Sequence, residues 1–534
     1  MILRALALAA LLAAPASAQT LRIGMAAETN GADPHNFALT PNSTLRDNIY
    51  QGLVDTDAKG LVRPGLATGW TRSDDLTWHF TLRDGVRFSD GSAFGAADVV
   101  ATFCRTLNNK EEMSGSFSHT VVRLAAVAPE GANGLLIRTM APEPLLPVDL
   151  AQIAILPRSL APAGLSFDAK TACGGGGPWP SVADFNSGKA AIGTGPYRQA
   201  EYSRGGLIVL ERNPFHAGPR PPWDKVRLLP ITQPTARLAA LLAGDQDLVE
   251  APGTADLPML RSNGKVLLTS SPTWRLLFLQ MDVARETTPF IAGPNPLRDV
   301  RVRQALSMAL NRPAIVGRIM DGTATEASQF LLTGMAGTLP ELKALPYDPA
   351  RARALLAEAG FPQGFAVTIH GTNNRYVNDG GLLQAVAQQW QRVGVKAEVE
   401  AMPAVSFFSR RGKREFSVQL GGWQTALPET LGFFRYWLIT QDMAQGLGTS
   451  NYGGWSDAAF DKDVRAALAT MDDAARAGLL RAASARAVAQ LPVIPLHFES
   501  ALWASRAGLR YPGRGDAVTR AADVQKTDVQ EMGR

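Results

Sequence analysis

Residues 70–103 read WTRSDDLTWHFTLRDGVRFSDGSAFGAADVVATF and combine one strand, two turns and the start of a helix. Between residues 77 and 82 apolar and polar side chains alternate, which is typical of a half-buried strand. The dipeptides Asp84-Gly85 and Asp90-Gly91 supply turns that tolerate a positive φ. Ser92 is placed to cap the helix that follows. This stretch therefore predicts a hairpin packed against a helix.

The composition is that of a large globular protein with little excess charge. The chain has 534 residues, of which 46% are hydrophobic and 19% charged, enough to bury several cores. Its net charge of +5 is spread along the chain and predicts no nucleic-acid partner. The one dense basic run, RRGKR at residues 410–414, is typical of a solvated loop or helix end, and a site for anionic groups is the alternative.

The first eighteen residues, MILRALALAALLAAPASA, predict a secretory signal peptide cleaved after Ala18. The apolar run is shorter than the roughly 20 residues that span a bilayer, which disfavours an uncleaved anchor. We therefore expect an exported, periplasmic protein. Disulfides persist in that compartment, so Cys104 and Cys173 form either a disulfide or a free buried pair.

The second half of the chain alternates helices and strands. A helix that stops at Gly360 is followed by a strand at 365–370, a helix from about 381 to 393 and a strand at 395–401. This order predicts a right-handed crossover in an α/β lobe. The apolar strand at 274–281 is predicted to cross into that second lobe.

No catalytic or metal-binding motif is present. The six histidines share no spacing of two to four residues, and neither a nucleophile elbow nor a His-Glu-x-x-His motif occurs. Aromatic residues instead lie near strand ends, at Trp274, Trp423, Tyr452 and Trp455. Aromatic walls with a few polar groups are how an interlobe cleft encloses a small molecule, so these residues favour binding over catalysis.

Several motifs, in this order along the chain, resemble those of the periplasmic dipeptide- and oligopeptide-type solute-binding proteins of ABC importers, family 5. The resemblance covers most of the mature chain. It begins with LRDGVRFSDG followed by ADVV in the opening stretch. The later motifs are GTGPY at 193–197, RDVRVRQALSMALNR at 298–312, YDPARARALLAEAGF at 347–361, WQRVGVKAEVE at 390–400, NYGGWSDAAFD at 451–461 and LPVIPLHFESALWA at 491–504.

The resemblance implies an α/β protein of two lobes joined by a hinge. Lobe I would comprise residues 19–270 with an extra subdomain at about 55–190, lobe II residues 271–490, and residues 491–534 would return to lobe I. A monomer of this kind traps its ligand by hinge closure and docks on a permease of the inner membrane driven by an ATPase. It needs no cofactor and breaks no bond.

The resemblance also implies a ligand-binding cleft for a peptide or peptide-like small molecule. The residues assigned to it come from the polar turn after the first strand, from the glycine turn at 193–197, from the aromatic residues near strand ends and from the matching motifs; they are Thr29, Asn30, Thr194, Trp274, Asn374, Arg375, Tyr376, Trp423, Gln424, Thr425 and Tyr452.

One position departs from the peptide carriers that the chain resembles. Those carriers place an aspartate for the peptide ammonium group where this chain has Ala426. Glu429 is a substitute, although a loop carboxylate is generally solvated, and Arg375 is expected to receive an anionic group. These residues indicate a ligand without a free amine, such as an acyl-blocked or opine-like molecule. The alternatives are a nickel-type metal-chelate carrier and a periplasmic enzyme.

Overall fold

The structure is a computed structural model that describes residues 19–110, 117–174, 177–373, 375–425 and 428–527. The predicted signal peptide, Asn374 and Ala426 lie outside the described residues. Within these ranges no helix combines the length and the apolar character that crossing a bilayer requires.

Nineteen strands and fifteen α-helices are formed by the described residues. The strands are β1 Thr20–Met25, β2 Val54–Thr56, β3 Val62–Pro64, β4 Ala67–Arg72, β5 Thr77–Leu82, β6 Leu124–Glu130, β7 Gly134–Thr139, β8 Tyr197–Tyr202, β9 Ile208–Arg212, β10 Lys225–Pro230, β11 Leu248–Glu250, β12 Val266–Met281, β13 Thr325–Glu326, β14 Ala366–Thr372, β15 Lys396–Met402, β16 Val418–Gln424, β17 Val493–Arg506, β18 Leu509–Arg510 and β19 Gln525–Lys526. The helices are α1 Thr40–Ile49, α2 Ala96–Asn108, α3 Ser118–Val121, α4 Leu146–Leu150, α5 Val182–Asn186, α6 Pro234–Ala243, α7 Leu257–Ser262, α8 Val300–Met308, α9 Arg312–Ala314, α10 Pro349–Glu358, α11 Asp379–Gln391, α12 Ala404–Gly412, α13 Leu431–Phe433, α14 Ala458–Ala469 and α15 Asp473–Gln490.

An eleven-stranded sheet runs through the molecule in the order β15-β14-β16-β12-β17-β11-β1-β10-β9-β8, and β13 pairs with β17. Its two longest strands, β12 and β17, are antiparallel partners at the centre. The strands on one side of this pair form lobe I, and those on the other side form lobe II. The molecule is therefore an α/β protein of two lobes, as the sequence predicts.

The lobes are joined within strands and not by a linker. The first half of β12 pairs with the second half of β17 beside β11, whereas the second half of β12 lies between β16 and the first half of β17. The β12–β17 register shifts between Pro272 and Leu276. We propose that the change of lobe falls at this irregularity, and that the start of β17 belongs to lobe II.

Lobe II is built as the alternation of helices and strands predicts. Asp348 caps α10 by accepting a hydrogen bond from the Arg351 backbone N–H at 2.9 Å, and Pro349 occupies the first turn. Strands β14 and β15 are parallel, and α11 connects them. Leu382 and Trp390 of α11 are buried in the main core of this lobe, and the predicted order of strand, helix and parallel strand is observed.

The stretch that begins at Trp70 lies in a separate subdomain of lobe I. Its four-stranded sheet has the order β4-β5-β7-β6 and shares a core with α2. A disulfide joins Cys104 of α2 to Cys173, whose Cα atoms are 5.6 Å apart. The predicted strand at 77–82 is confirmed as β5.

The predicted cap of α2 is wrong. Ser92 donates a hydrogen bond to Asp90 at 2.6 Å, because the chain stays extended for three more residues before the helix begins. Gly95 is the N-cap residue, and the carboxylate of Asp98 accepts a hydrogen bond from the Gly95 backbone N–H at 2.7 Å. A carboxylate in the first turn therefore replaces the expected hydroxyl.

Candidate ligand-binding site

Three polar side chains meet where β12 and β17 cross from one lobe to the other. The guanidinium of Arg275 donates to Glu499 at 3.2 Å and to Gln424 at 2.8 Å. Glu499 is 5% exposed, and Gln424 in turn donates to the Gly515 carbonyl of lobe I at 3.4 Å. This group connects both central strands to the end of β16, beside Trp423.

The loop that carries Arg375 is held at the same place. It follows β14, and Asp379 at the start of α11 accepts hydrogen bonds from the backbone N–H groups of Arg375 and Tyr376, at 3.1 and 3.2 Å. The backbone N–H of Val377 donates to Glu499 at 3.0 Å. Glu499 therefore joins the loop directly to the crossing strand.

Tyr376 lies at the centre of the site. Its hydroxyl donates to the Gly422 carbonyl at 3.3 Å, and a Cβ on Gly422 would lie 2.5 Å from its ring, so the close approach requires glycine. Burial raises the pKa of the Tyr376 phenol, while the positive charges of Arg375, Arg411 and Arg275 oppose that shift. Three guanidinium groups thus act on one buried hydroxyl.

An aromatic wall, defined as Trp423, Tyr436, Trp437 and Tyr452, lines lobe II next to this group. Ring centroids are 5.5 Å apart for Trp423 and Tyr436, 6.1 Å for Trp423 and Trp437, and 6.4 Å for Trp437 and Tyr452. Tyr436 and Trp437 lie on a π-helical turn at Phe434–Leu438, a geometry that is frequent at functional sites. In the described part of the chain, the buried indole N–H groups of Trp423 and Trp437 have no hydrogen-bond partner.

Lobe I covers this wall through α4. Leu145 and Val148 of the subdomain belong to the same buried cluster as Phe433 and Trp437 of lobe II. The subdomain thus reaches across to the second lobe and restricts the access of water to the aromatic wall.

Trp274 contributes to this interface as a packing residue. It is 5% exposed, and a Cβ on Gly60 would lie 1.4 Å from its ring. Gly60 closes the turn between β2 and β3 by donating its backbone N–H to the Asp57 carbonyl at 3.0 Å, and its φ is +74°. Trp274 therefore contacts a lobe I turn at the crossing.

The remaining predicted residues divide into two groups. Thr29 is buried, with its hydroxyl 3.1 Å from that of Tyr202, and the next residue, Asn30, is exposed. Thr194 is buried, and its backbone carbonyl lies 3.0 Å from the His216 ring. No hydrogen bond or ring contact of the described residues joins these three to Tyr376. Thr425 is buried directly after β16, next to the site.

Glu429 differs from its prediction. It is neither solvated nor available for an ammonium group, because it is 5% exposed and its carboxylate accepts from Arg476 of α15 at 3.0 Å. Burial raises the pKa of Glu429, and the charge of Arg476 opposes that shift.

A cavity of about 640 Å³ opens elsewhere, at the junction of lobe I with its subdomain. Arginines line it, but Arg46, Arg63 and Arg520 already form ion pairs with Asp47 and Asp55. This cavity is separate from the group around Tyr376. Across the described ranges, no group of three or more histidine, cysteine, aspartate or glutamate residues is arranged to hold a metal ion.

The sequence analysis missed several residues of the site. Arg275 has a signal, because it is the one charge in the apolar segment WRLLFLQM, and Arg411 lies in the basic run at 410–414. Glu499, Tyr436 and Trp437 carry no local signal, since only the paired strands and the π-helical turn bring them to the site.

The fold and this site define a two-lobe binding protein of the type II periplasmic class. NikA from Brucella suis in complex with Fe(III)-EDTA superposes with a TM-score of 0.80 at 20% identity, over 95% of this chain and 100% of that one. DppA from Helicobacter pylori in complex with peptide STSA has a TM-score of 0.74 at 20% identity, over 95% of this chain and 98% of that one. At such identities these likenesses establish the fold alone.

Sequence comparison then gives the family. The profile of the bacterial extracellular solute-binding proteins, family 5 (middle region), matches residues 62–445, which is more than half of the chain. The glutathione-binding protein GsiB of Salmonella typhimurium is 28% identical over 513 residues, covering 93% of each chain. The protein belongs to family 5 of the solute-binding proteins of ABC importers, which confirms the resemblance seen in its motifs.

Proposed function

We propose that this protein captures a peptide or peptide-like small molecule between its lobes in the periplasm and delivers it to an ABC permease. The observation that carries the proposal is the placement of Arg375. Asp379 and Glu499 hold its loop at the crossing, and among the described residues its guanidinium has no carboxylate partner. These bonds fix the backbone of the loop and leave the Arg375 side chain exposed, and a guanidinium matches a ligand carboxylate through two parallel hydrogen bonds.

The aromatic wall supports the same ligand class. Flat rings bury the apolar parts of a small molecule at little entropic cost, and the indole N–H groups of Trp423 and Trp437 are donors for its carbonyl or carboxylate oxygens. The relatives named as glutathione-binding and the neighbour bound to peptide STSA are consistent with a peptide-like ligand.

The carboxylates of the site argue for a blocked or absent amine. Glu499 is engaged by Arg275, Glu429 by Arg476, and Asp379 by two backbone N–H groups. Among the described residues, Glu499 and Glu429 are each paired with an arginine, and the buried Asp379 carboxylate is bound by backbone N–H groups, so none of the three is placed as an open acceptor for an ammonium group. N-acylated peptides and opine-like molecules satisfy this condition.

Capture needs no chemical step. A ligand that contacts both lobes binds the closed form more tightly than the open one, and this difference in affinity shifts the population towards closure. The β12–β17 crossing is the natural hinge, because the register irregularity at Pro272 and Leu276 interrupts the continuous ladder there. The permease then binds the closed form of the protein.

The test is ligand binding by purified protein. Isothermal titration and thermal shift with N-acetyl dipeptides and tripeptides should detect a ligand for the wild type. Arg375→Ala and Trp423→Ala should lose about 10- to 100-fold in affinity, while the exposed Arg353→Ala should bind normally. Normal binding by both cleft variants would refute the site.

Two experimental outcomes would favour a different function for this protein. A stoichiometric metal detected by elemental analysis of freshly purified protein would favour the metal-chelate carrier. Conversion of a bound ligand to a product of different mass would favour an enzyme. Mass spectrometry of material released by mild denaturation decides between these outcomes and a carrier that returns its ligand unchanged.

A further inference from the structure

Two adjacent arginines of α12 face different surroundings. Arg410 donates to Glu400 at 2.6 Å and to Glu415 at 2.9 Å, so its charge is neutralised by two carboxylates. Arg411 points away from both and towards the aromatic wall. Within the basic run at 410–414, Arg410 is thus paired with carboxylates, whereas the side chain of Arg411 packs against the rings of the aromatic wall.

The guanidinium of Arg411 is surrounded by rings. Its central carbon lies 4.7 Å from the ring centroid of Phe408, 5.0 Å from that of Tyr452 and 5.6 Å from that of Trp437. Its Nε is buried without a hydrogen-bond partner, and within the described ranges no carboxylate lies within ion-pairing distance. Ring faces attract a cation, but they offset only part of the cost of removing it from water.

Three arginines near the aromatic wall and Tyr376 lack an ion pair among the described residues: Arg375, Arg411 and Arg435, the last of which lies 4.9 Å from the Tyr436 ring centroid and acts on Glu143 of lobe I. Arg275 is paired with Glu499, whereas Arg375 and Arg411 have no such partner in the part of the chain that the structure describes. Arg375 lies 5.5 Å from the ring centroid of Tyr376, which packs on Gly422 next to Trp423, and Arg411 lies 5.6 Å from that of Trp437, which contacts Trp423 at 6.1 Å. Beside Arg411, the buried indole N–H of Trp437 is a further donor without an acceptor.

We propose that the ligand carries two anionic groups, one at Arg375 and a second at Arg411, and is therefore a dicarboxylate or an equivalent dianion. This inference rests on the proposed function and narrows its ligand class. The second group would accept hydrogen bonds from the Arg411 guanidinium and the Trp437 indole. The aromatic wall would pack against the segment that joins the two groups.

A purely structural role for Arg411 makes a different prediction. If its methylene stem only fills space between Phe408 and Tyr452, methionine should replace it without loss, since Met is unbranched and fits irregular apolar gaps. If the guanidinium receives an anion, Arg411→Met should fold normally and lose binding. Arg410→Met, the adjacent residue on the same helix, is the matched control for removing one positive charge.

The experiment uses pairs of ligands that differ in one charge. N-succinyl and N-glutaryl dipeptides carry two carboxylates and no free amine, and their monoamides carry one carboxylate. Isothermal titration with the full-length mature protein should show the two-carboxylate members binding wild type at least about 10-fold more tightly than their one-carboxylate partners. Arg411→Met should abolish that difference, Arg410→Met should preserve it, and all three proteins should melt within a few degrees of one another.

The outcomes separate this inference from the proposed function. If wild type bound both members of each pair equally, the inference of a dianionic ligand would be overturned, and the protein would be a carrier of monoanions. An equal loss of both members in Arg411→Met would also overturn it, because the arginine would then act through packing. Failure of every member to bind wild type would overturn both the ligand class and the peptide-carrier proposal.

Discussion

Glu499 should be the residue whose loss most directly uncouples the ligand-binding loop from the hinge. Its buried carboxylate accepts from Arg275 on β12 and from the Val377 backbone N–H, two groups that are far from it in sequence. Glu499→Ala removes both bonds, leaves the part-buried Val377 amide without its acceptor and deprives Arg275 of its only carboxylate partner among the described residues.

The expected cost follows from these contacts. A hydrogen bond to a charged group contributes about 1.5 to 3 kcal/mol, and Arg275 keeps its bond to Gln424 and some exposure to water. We therefore expect Glu499→Ala to lower the free energy of unfolding by about 3 kcal/mol. Glu499→Gln retains an acceptor for Val377 but not the charge, and should lower it by about 1.5 kcal/mol.

Urea unfolding measures these changes, and hydrogen exchange of residues 375–378 tests the loop. Exchange of the Val377 amide should accelerate in Glu499→Ala, and binding should weaken with it. The control is Glu358→Ala, which breaks an exposed ion pair with Arg351 and should change stability by less than about 1 kcal/mol. If Glu499→Ala matched this control in both stability and amide exchange, the assigned coupling would be wrong.

Three further predictions follow from buried groups outside the ligand contacts. Burial lowers the pKa of His497 to about 4 from an ordinary 6.5, so the unfolded chain binds more protons than the folded protein between these values. The free energy of unfolding should therefore fall by up to about 3 kcal/mol as the pH drops from 6.5 to 4. In urea titrations, His497→Leu should flatten this dependence on pH. Reduction of the Cys104–Cys173 disulfide, whose cysteines are 69 residues apart, should destabilise the subdomain by about 4 kcal/mol in the chain-entropy account, seen as a lower melting temperature with reductant. Gly60→Ala should cost about 3 kcal/mol, because it adds strain at positive φ and displaces Trp274.

Matched variants isolate each cause. His119 is exposed, so His119→Leu should leave the pH dependence unchanged. Gly85 has a φ of +70° with open space around it, so Gly85→Ala should cost only the backbone strain of about 1 kcal/mol. Equal losses in Gly60→Ala and Gly85→Ala would refute the interlobe packing role of Trp274. A melting temperature that is insensitive to reductant would contradict the contribution of the disulfide.

Local patterns were sufficient for the elements themselves. The alternation at 77–82 gave β5 with its observed bounds, because a period of two depends only on neighbouring residues. The cap at Ser92 was wrong because nothing local distinguishes a turn hydroxyl from a cap hydroxyl. Glu429 was misjudged because its partner, Arg476, lies 47 residues away on another helix.

The sequence by itself determined the family, the two α/β lobes and the candidate roles of Arg375 and Trp423, because ordered motifs and short-range periodicity are properties of the chain. Only the tertiary structure decided which charges are neutralised. Arg410 and Arg411 are neighbours with the same chemistry, yet their side chains leave the helix in different directions, one towards carboxylates and the other towards aromatic rings. Whether a charge is paired depends on what the fold packs against it, and that information is not local.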